Sequence, residues 1–167
     1  MKFYRYILAF GSNLGNREFN CQRGEEHLLN FGRILSVSRK LYTEPLKSDI
    51  FVVEENQEAY LNYIIEFHCS LSPQDLYKEI AYIEDQVGHD RTRKWAPRHL
   101  DIDILFVSVQ SSESQWSPLS LNEREGLIIP HSEILKRPFL VELLQSLNKT
   151  DNLEYALFNA HRTGVEL

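Results

Sequence analysis

Two carboxylates spaced two residues apart follow a short basic segment and could together hold a divalent cation. Residues 100–106 alternate apolar side chains with Asp101 and Asp103, and this alternation places both carboxylates on one face of a strand. Adjacent like charges repel each other and resist desolvation, so a positive group is expected between them. Mg²⁺ suits the pair, because it accepts few protein oxygens and leaves positions open for phosphate oxygens.

The basic segment immediately upstream could bind those phosphates. Guanidinium groups are planar, permanently charged donors, and Arg91, Arg93 and Arg98 all precede the carboxylate pair. The combination points to Mg²⁺-assisted phosphoryl transfer from a nucleotide. The alternative is a solvated strand face, on which Asp101 and Asp103 pair with Arg91 and Arg93 and have no catalytic role.

Composition narrows the class of protein. A chain of 167 residues with 43% hydrophobic and 25% charged residues is typical of one soluble domain, here 1–167, with a sizeable core. A net charge of −6 argues against nucleic-acid binding and favours a small anionic ligand at the local basic segment. Cys21 and Cys69 lack metal-ligand or redox spacing, so we expect reduced thiols in a cytoplasmic, non-membrane protein.

The spacing of apolar residues predicts a mixed fold. The predicted strands are 4–10, 33–42, 60–68, 100–106 and a short one at 127–131; the predicted helices run from the Asn16 cap to about residue 30 and from the Ser72 cap to Gly88, with one helical turn at 134–136. Two successive strand-helix-strand units predict an α+β, ferredoxin-like α/β sandwich with a mostly antiparallel sheet, helices on one face and catalytic loops on the other. A doubly wound α/β fold would need more helix between residues 31 and 70.

Several further residues could bind a ligand or could be ordinary structural residues. Tyr60 and Asn62 share a strand face, where they could stack on a flat heterocycle and bind its edge, or simply pack. Glu84, near a helix C-terminus, could pair with the following arginines or accept hydrogen bonds from a ligand. The glycine-rich loop 11–15 could hold a phosphate, but an ordinary strand-to-helix turn is favoured. His131 alone would be an ordinary histidine.

Five segments form a specific set when they are taken in their order along the chain. They are GSNLG at 11–15, TEPL at 43–46, YLN at 60–62, WAPRHLDIDI at 95–104, and the pair PH at 130–131 with RPF at 137–139. In this order, over about residues 6–144, the chain resembles the 6-hydroxymethyl-7,8-dihydropterin pyrophosphokinase family of folate biosynthesis. The Pro-Arg-x-x-Asp-x-Asp segment is the most specific part.

The resemblance implies a ferredoxin-like fold and transfer of pyrophosphate from ATP to the hydroxymethyl group of the pterin, with release of AMP. Asp101 and Asp103 would hold two Mg²⁺ ions, while Arg98 and either Arg91 or Arg93 would hold the phosphates. The catalytic positions that the resemblance implies are Arg91, Arg98, Asp101 and Asp103. The ATP-binding positions that it implies are Glu84, Trp95, Arg98, Ile104, His131 and Arg137. The pterin-binding positions that it implies are Thr43, Leu46, Tyr60, Asn62 and Phe139.

The chain departs from the family's usual pattern at His89, Ala96, Ser132 and Leu143. None of these departures removes a metal ligand or the stacking pair, so we expect an active, monomeric enzyme. A non-catalytic relative would lack an aspartate or Arg98. An RNA-binding module would need a basic sheet face with aromatic residues at ribonucleoprotein spacing. A nucleotide-sugar transferase would ordinarily need a larger chain.

Overall fold

A computed structural model describes residues 2–44, 58–88, 97–112, 115–123 and 126–148. The elements in chain order are β1 (Tyr4–Ser12), α1 (Arg17–Leu28), β2 (Gly32–Val37), β3 (Leu41–Thr43), β4 (Tyr60–Cys69), α2 (Pro73–Val87), β5 (Asp101–Ser112), β6 (Gln115–Pro118), β7 (Leu121–Asn122), β8 (Ile128–Ile129), a 3₁₀ turn (Ile134–Lys136) and α3 (Pro138–Ser146). No helix in these ranges is both long enough and apolar enough to cross a membrane.

The main sheet has the strand order β2-β4-β1-β5-β6, with β3 also paired to β4. Every pairing in it is antiparallel. The strand that opens the chain lies in the middle because its side chains are apolar on both faces and can be covered on both. Two interleaved strand-helix-strand units that share such a sheet form the ferredoxin-like α+β sandwich, so the predicted fold class is confirmed.

The two faces of the sheet are covered differently. Leu8 and Phe10 of β1 pack with Leu76 and Ile80 on the face that carries α1 and α2. The opposite face carries α3, so the prediction of helices on one face only was wrong. Because β1 also presents apolar residues such as Ile7 to that second face, an apolar helix is needed to bury them. We call this second face the α3 face.

The predicted helix ends are confirmed. The Asn16 side chain accepts a hydrogen bond from the backbone N–H of Phe19 at 3.1 Å and begins α1. The Ser72 hydroxyl accepts from the backbone N–H of Asp75 at 3.2 Å and begins α2. Gly88 ends α2 in the left-handed conformation, with φ of 114°. These local hydrogen bonds fix where each long helix starts and stops relative to the sheet.

Two predicted boundaries were wrong, both for reasons of long-range pairing. The single strand predicted at 33–42 is interrupted at Ser38, whose hydroxyl takes the place of a backbone carbonyl by accepting from the N–H of Ile64 at 2.9 Å. The strand predicted at 100–106 continues through polar residues to Ser112, as the outer end of β5, and pairs there with β6. The side chains there are polar because they lie at the exposed end of a hairpin, and a polar composition does not by itself indicate a strand.

Helix α1 lies close to the residue that precedes the carboxylate pair. A Cβ atom at Gly24 would lie 2.7 Å from Leu100 Cδ2 and 3.1 Å from Phe10 Cε1. Both neighbours are fully or almost fully buried, so neither can move aside without disturbing the core. Gly24 therefore allows α1 to pack directly against the start of β5.

Gly24→Ala is expected to destabilise the protein by about 1–3 kcal/mol, because overpacking outweighs the helix propensity gained, which is about 1 kcal/mol. The measurement is urea unfolding of the two proteins. Gln22→Ala, on the exposed side of the same helix, is the control and should stay within about 0.5 kcal/mol of the parent. A stabilised Gly24→Ala protein would show that the contact with Leu100 is loose.

Candidate active site

Asp101 and Asp103 lie side by side on the α3 face of β5. Their partners on β1 are Gly11 and Ala9, and Ala9 belongs to the apolar cluster under α3. The side chains remain partly exposed, 24% for Asp101 and 33% for Asp103. The strand alternation inferred from the sequence is thus confirmed, and it leaves two adjacent carboxylates open to a ligand.

Cationic and neutral donors surround the pair. The Arg98 guanidinium forms an ion pair with Asp101 Oδ1, and His131 Nε2 lies 3.6 Å from Asp103 Oδ1. Desolvation, followed by the charge of Asp101, raises the pKa of Asp103 well above the ordinary carboxyl range, although His131, Arg137 and Arg98 oppose this rise. Asp103 therefore carries an incompletely compensated negative charge in the ligand-free protein.

The orientation of His131 follows from backbone contacts. Its N–H donates to the carbonyl of Leu105 at 3.0 Å, which attaches the segment after β8 to the outer edge of β5. Its ring Nδ1 accepts from the backbone N–H of Glu133 at 3.3 Å. An accepting Nδ1 leaves the proton of the neutral ring on Nε2, which is the atom nearer to Asp103. Arg137 comes next along the chain, its Nε 3.5 Å from Glu133 Oε2.

Glu84 occupies a position that its sequence context did not reveal. Its carboxylate, on a residue only 6% exposed, accepts a hydrogen bond from the backbone N–H of Ile102 at 2.8 Å. Ile102 stands between the two aspartates, so Glu84 holds the backbone that carries them. The Ile104 side chain is buried in the core shared with α1 and α2, which leaves its backbone as the part that ATP could reach. ATP binding by Glu84 and Ile104 stays a prediction.

The loop 11–15 is connected to Arg98 across 85 residues of sequence. The backbone N–H of Asn13 donates to the carbonyl of Arg98 at 3.0 Å. The backbone N–H of Arg98 donates to Asn13 Oδ1 at 2.8 Å. The sequence favoured an ordinary turn for this loop, and this contact was missed. The available signal was an asparagine within a glycine-rich loop directly after the central strand.

Tyr60, Asn62 and Thr43 form a second group beside the carboxylates. Asn62 Nδ2 donates to Thr43 Oγ1 at 2.7 Å and to the carbonyl of Tyr60 at 3.1 Å. A Cβ atom at Gly11 would lie 3.6 Å from Asn62 Oδ1 and 3.9 Å from Asp101 Cβ. Gly11 is therefore where the two groups meet, and the absence of a side chain there leaves room between them.

Of the remaining predicted positions, some lie in the described residues and others lie outside them. Phe139 lies in the first turn of α3, half-buried against the apolar cluster of the α3 face. Burial raises the pKa of the Tyr60 hydroxyl, which keeps that ring neutral. Leu46, Arg91 and Trp95 lie outside the described residues, so their predicted roles stay predictions.

Asp101 and Asp103 are the residues that could hold a metal ion. Within the described ranges, no three or more His, Cys, Asp and Glu side chains converge on one point. A site of only two carboxylates is unsuited to a closed structural metal centre. It fits Mg²⁺, which is commonly bound by one or two carboxylates together with substrate phosphates and water.

Comparison with known proteins identifies the family of the chain. Residues 7–149 match the family described as 7,8-dihydro-6-hydroxymethylpterin-pyrophosphokinase. The chain belongs to this family. A 2-amino-4-hydroxy-6-hydroxymethyldihydropteridine pyrophosphokinase of Bacillus subtilis is 30% identical over 148 residues, covering 85% of this chain and 79% of that protein. The protein of the same name from Aquifex aeolicus is 31% identical over 134 residues, covering 80% and 74%.

Some relatives are longer than this chain and contain additional sequence. The folate synthesis bifunctional protein of Chlamydia muridarum is 38% identical over 141 residues, which cover 84% of this chain and 29% of that protein. The chain thus spans less than a third of the length of such bifunctional relatives. The family resemblance inferred from the five ordered segments is confirmed.

Asp103→Asn is expected to raise the free energy of unfolding of the ligand-free protein by about 1 kcal/mol, because it removes a desolvated charge beside Asp101. A raised carboxyl pKa destabilises the folded state above that pKa. The gain should therefore be largest at neutral pH and disappear as the pH falls below the ordinary carboxyl range. Urea unfolding at several pH values, without metal, measures it.

Asp101→Asn is the matched control for this comparison. It removes the partner of Arg98 instead of an uncompensated charge, so it should lower stability at neutral pH. Equal stability changes for the two variants would contradict the view that the charge of Asp103 is the less well compensated one.

Proposed function

We propose that this chain transfers the pyrophosphoryl group of ATP to the hydroxymethyl oxygen of 6-hydroxymethyl-7,8-dihydropterin, with release of AMP. Membership of the pyrophosphokinase family supports the proposal. The observation that carries it is the meeting of two groups at Gly11. A carboxylate pair suited to a metal-bound polyphosphate lies directly beside a tyrosine and a carboxamide suited to a flat heterocycle.

The proposed nucleotide half of the site is built on β5. Asp101 and Asp103 would hold two Mg²⁺ ions, which supply charge neutralisation and a template for the phosphates when they are bound. Arg98, Arg137 and His131 would bind the phosphate oxygens. Arg98 and Asp101 are already paired, so each brings a preoriented charge to the ligand. The proposed ATP contacts also include Glu84, Trp95 and Ile104, with Arg91 or Arg93 completing the phosphate contacts.

The proposed pterin half lies at the ends of β3 and β4. Asn62 has its Nδ2 occupied by Thr43 and by the Tyr60 carbonyl, which fixes the amide plane and directs Oδ1 toward Gly11. An acceptor in that position suits the amino group of a pterin edge. Tyr60 and Phe139 would lie on either side of the ring, and Asn62 together with the backbone around Thr43 and Leu46 would bind its edge.

We propose further that the chain acts as a monomer in the cytoplasm and does not bind nucleic acid. The net charge of −6 supports the last point, since phosphate-driven binding needs a broad basic surface. Light scattering tests the monomeric state, and a salt-dependent nucleic-acid titration tests the absence of nucleic-acid binding. A dimer, or retention on nucleic acid at moderate salt, would contradict them.

AMP release from ATP is expected only when the pterin and Mg²⁺ are both present, without ADP. Asp101→Ala should reduce turnover by about a thousandfold or more, because such a metal clamp contributes several kcal/mol to the barrier. The products are separated and counted by chromatography. Glu26→Ala, which removes a carboxylate on the exposed side of α1, is the control and should match the parent. Full activity in excess chelator would refute the metal assignment.

Asn62→Ala is expected to weaken binding of 6-hydroxymethyl-7,8-dihydropterin by about 10- to 100-fold, because it leaves polar groups of the ligand without partners. Thr43→Val, which removes only the group that orients the amide, should give a smaller loss. Pterin fluorescence measures the dissociation constants. Asn30→Ala, at the exposed end of α1, is the control. An unchanged dissociation constant for Asn62→Ala would remove this residue from the pterin site.

A further inference from the structure

We infer that Asn13 is a positioning residue, which fixes the backbone of Arg98 and thereby the guanidinium that pairs with Asp101. This inference rests on the proposed function for its catalytic consequence, but not for its geometry. Asn13 is only 1% exposed, so its side chain is buried in the protein. Asn13 lies in loop 11–15, directly after the end of β1.

The contact fixes Arg98 from both sides of its Cα atom. Asn13 Oδ1 accepts from the N–H of Arg98 at 2.8 Å, and the N–H of Asn13 donates to the carbonyl of Arg98 at 3.0 Å. Each bond orients one of the two peptide units that flank Arg98, so together they set the direction of its Cα–Cβ bond. Arg98 precedes β5 and lacks sheet pairing of its own, so Asn13 supplies what a neighbouring strand would otherwise supply.

The loop and the segment 97–100 are each attached to a different helix by contacts of their own. Asn20 Nδ2 donates to the carbonyl of Leu14 at 2.8 Å and connects the far end of the loop to α1. The His99 ring contacts the carbonyl of Gly88 through Nδ1 at 2.9 Å. A Cβ atom at Gly15 would lie 3.7 Å from the same ring. Each segment thus has its own attachment to a helix, and the two hydrogen bonds of Asn13 are what joins the loop to Arg98.

An asparagine suits this position for an electrostatic reason. Its amide oxygen accepts the Arg98 N–H without adding a negative charge near Asp101 and Asp103, where like charges are already in excess. The Arg98 side chain is 33% exposed and pairs with Asp101, so a phosphate can reach it from the open side. A displacement of the Arg98 backbone would move the guanidinium away from both Asp101 and the phosphate, and errors of about 1 Å can reduce rates about a hundredfold.

The test is a double-mutant cycle between Asn13 and Arg98, read out in pterin-dependent AMP release. Asn13→Ala should lower kcat by about 10- to 100-fold and leave the KM for the pterin within about twofold. In an Arg98→Ala background the same change should lower kcat by less than about twofold, because the residue that it positions is gone. Equal losses in both backgrounds would overturn the inference, since Asn13 would then act only through the fold.

Asn20→Ala is the matched control. It removes a buried amide that connects the far end of the same loop to α1 and contacts neither Asn13 nor Arg98 through this hydrogen bond. It should cost similar stability yet leave kcat within about twofold of the parent, and its effect should be the same in the parent and Arg98→Ala backgrounds. If Asn13→Ala does not fold, Asn13→Ser replaces it, because a serine hydroxyl is too short to reach the Arg98 N–H.

A second readout is independent of activity. The Arg98 Nε–H signal in an NMR spectrum of the ligand-free protein, assigned by its loss in Arg98→Ala, should shift or broaden in Asn13→Ala and stay unchanged in Asn20→Ala. An unshifted signal would overturn the inference. Absence of AMP formation by the parent protein would instead refute the proposed function, and the NMR comparison would still decide whether Asn13 positions Arg98.

Discussion

The mutual repulsion of Asp101 and Asp103 is the constraint on which the rest of the site depends. Two carboxylates on one face of a partly buried strand are unfavourable, and the surrounding structure compensates for them only in part. Arg98 pairs with one of them, while His131 lies near the other. Desolvation, followed by the charge of Asp101, raises the pKa of Asp103, and the remaining imbalance leaves the pair able to accept a cation. The fold holds these charges together at a cost in its own stability.

The antiparallel sheet brings together residues that are far apart in sequence. Gly11 on β1 lies opposite Asn62 on β4 and opposite Asp101 on β5. The ends of three strands thus place a small residue between the two halves of the site. Groups from other elements form hydrogen bonds with the outer edge of β5. The Glu84 carboxylate accepts from the N–H of Ile102, and the N–H of His131 donates to the carbonyl of Leu105. The strand that carries the charges is therefore fixed from both sides.

Local patterns in the sequence predicted the features that local physics determines. Alternation placed Asp101 and Asp103 on one face, and a serine cap followed by proline predicted where α2 begins. Features that depend on partners distant in sequence escaped prediction. The interruption of the second strand at Ser38 depends on the N–H of Ile64. The position of Glu84 depends on a backbone group of another element, since a carboxylate near a helix C-terminus gives no indication of what it will meet.

The outer strand β2 lies far from the candidate site and could contact another chain or domain. Among the strands that the structure describes, β2 lies at the edge of the sheet and pairs with the half of β4 that is remote from Tyr60 and Asn62. Leu35 and Val37 on it are 49% and 47% exposed. Chain addition at an open strand edge is the common route to self-association and to domain–domain contact in sheet proteins. An additional strand at β2 would lengthen the sheet on the side opposite to β5. Assembly at that edge and access of substrate to the aspartates are therefore spatially independent.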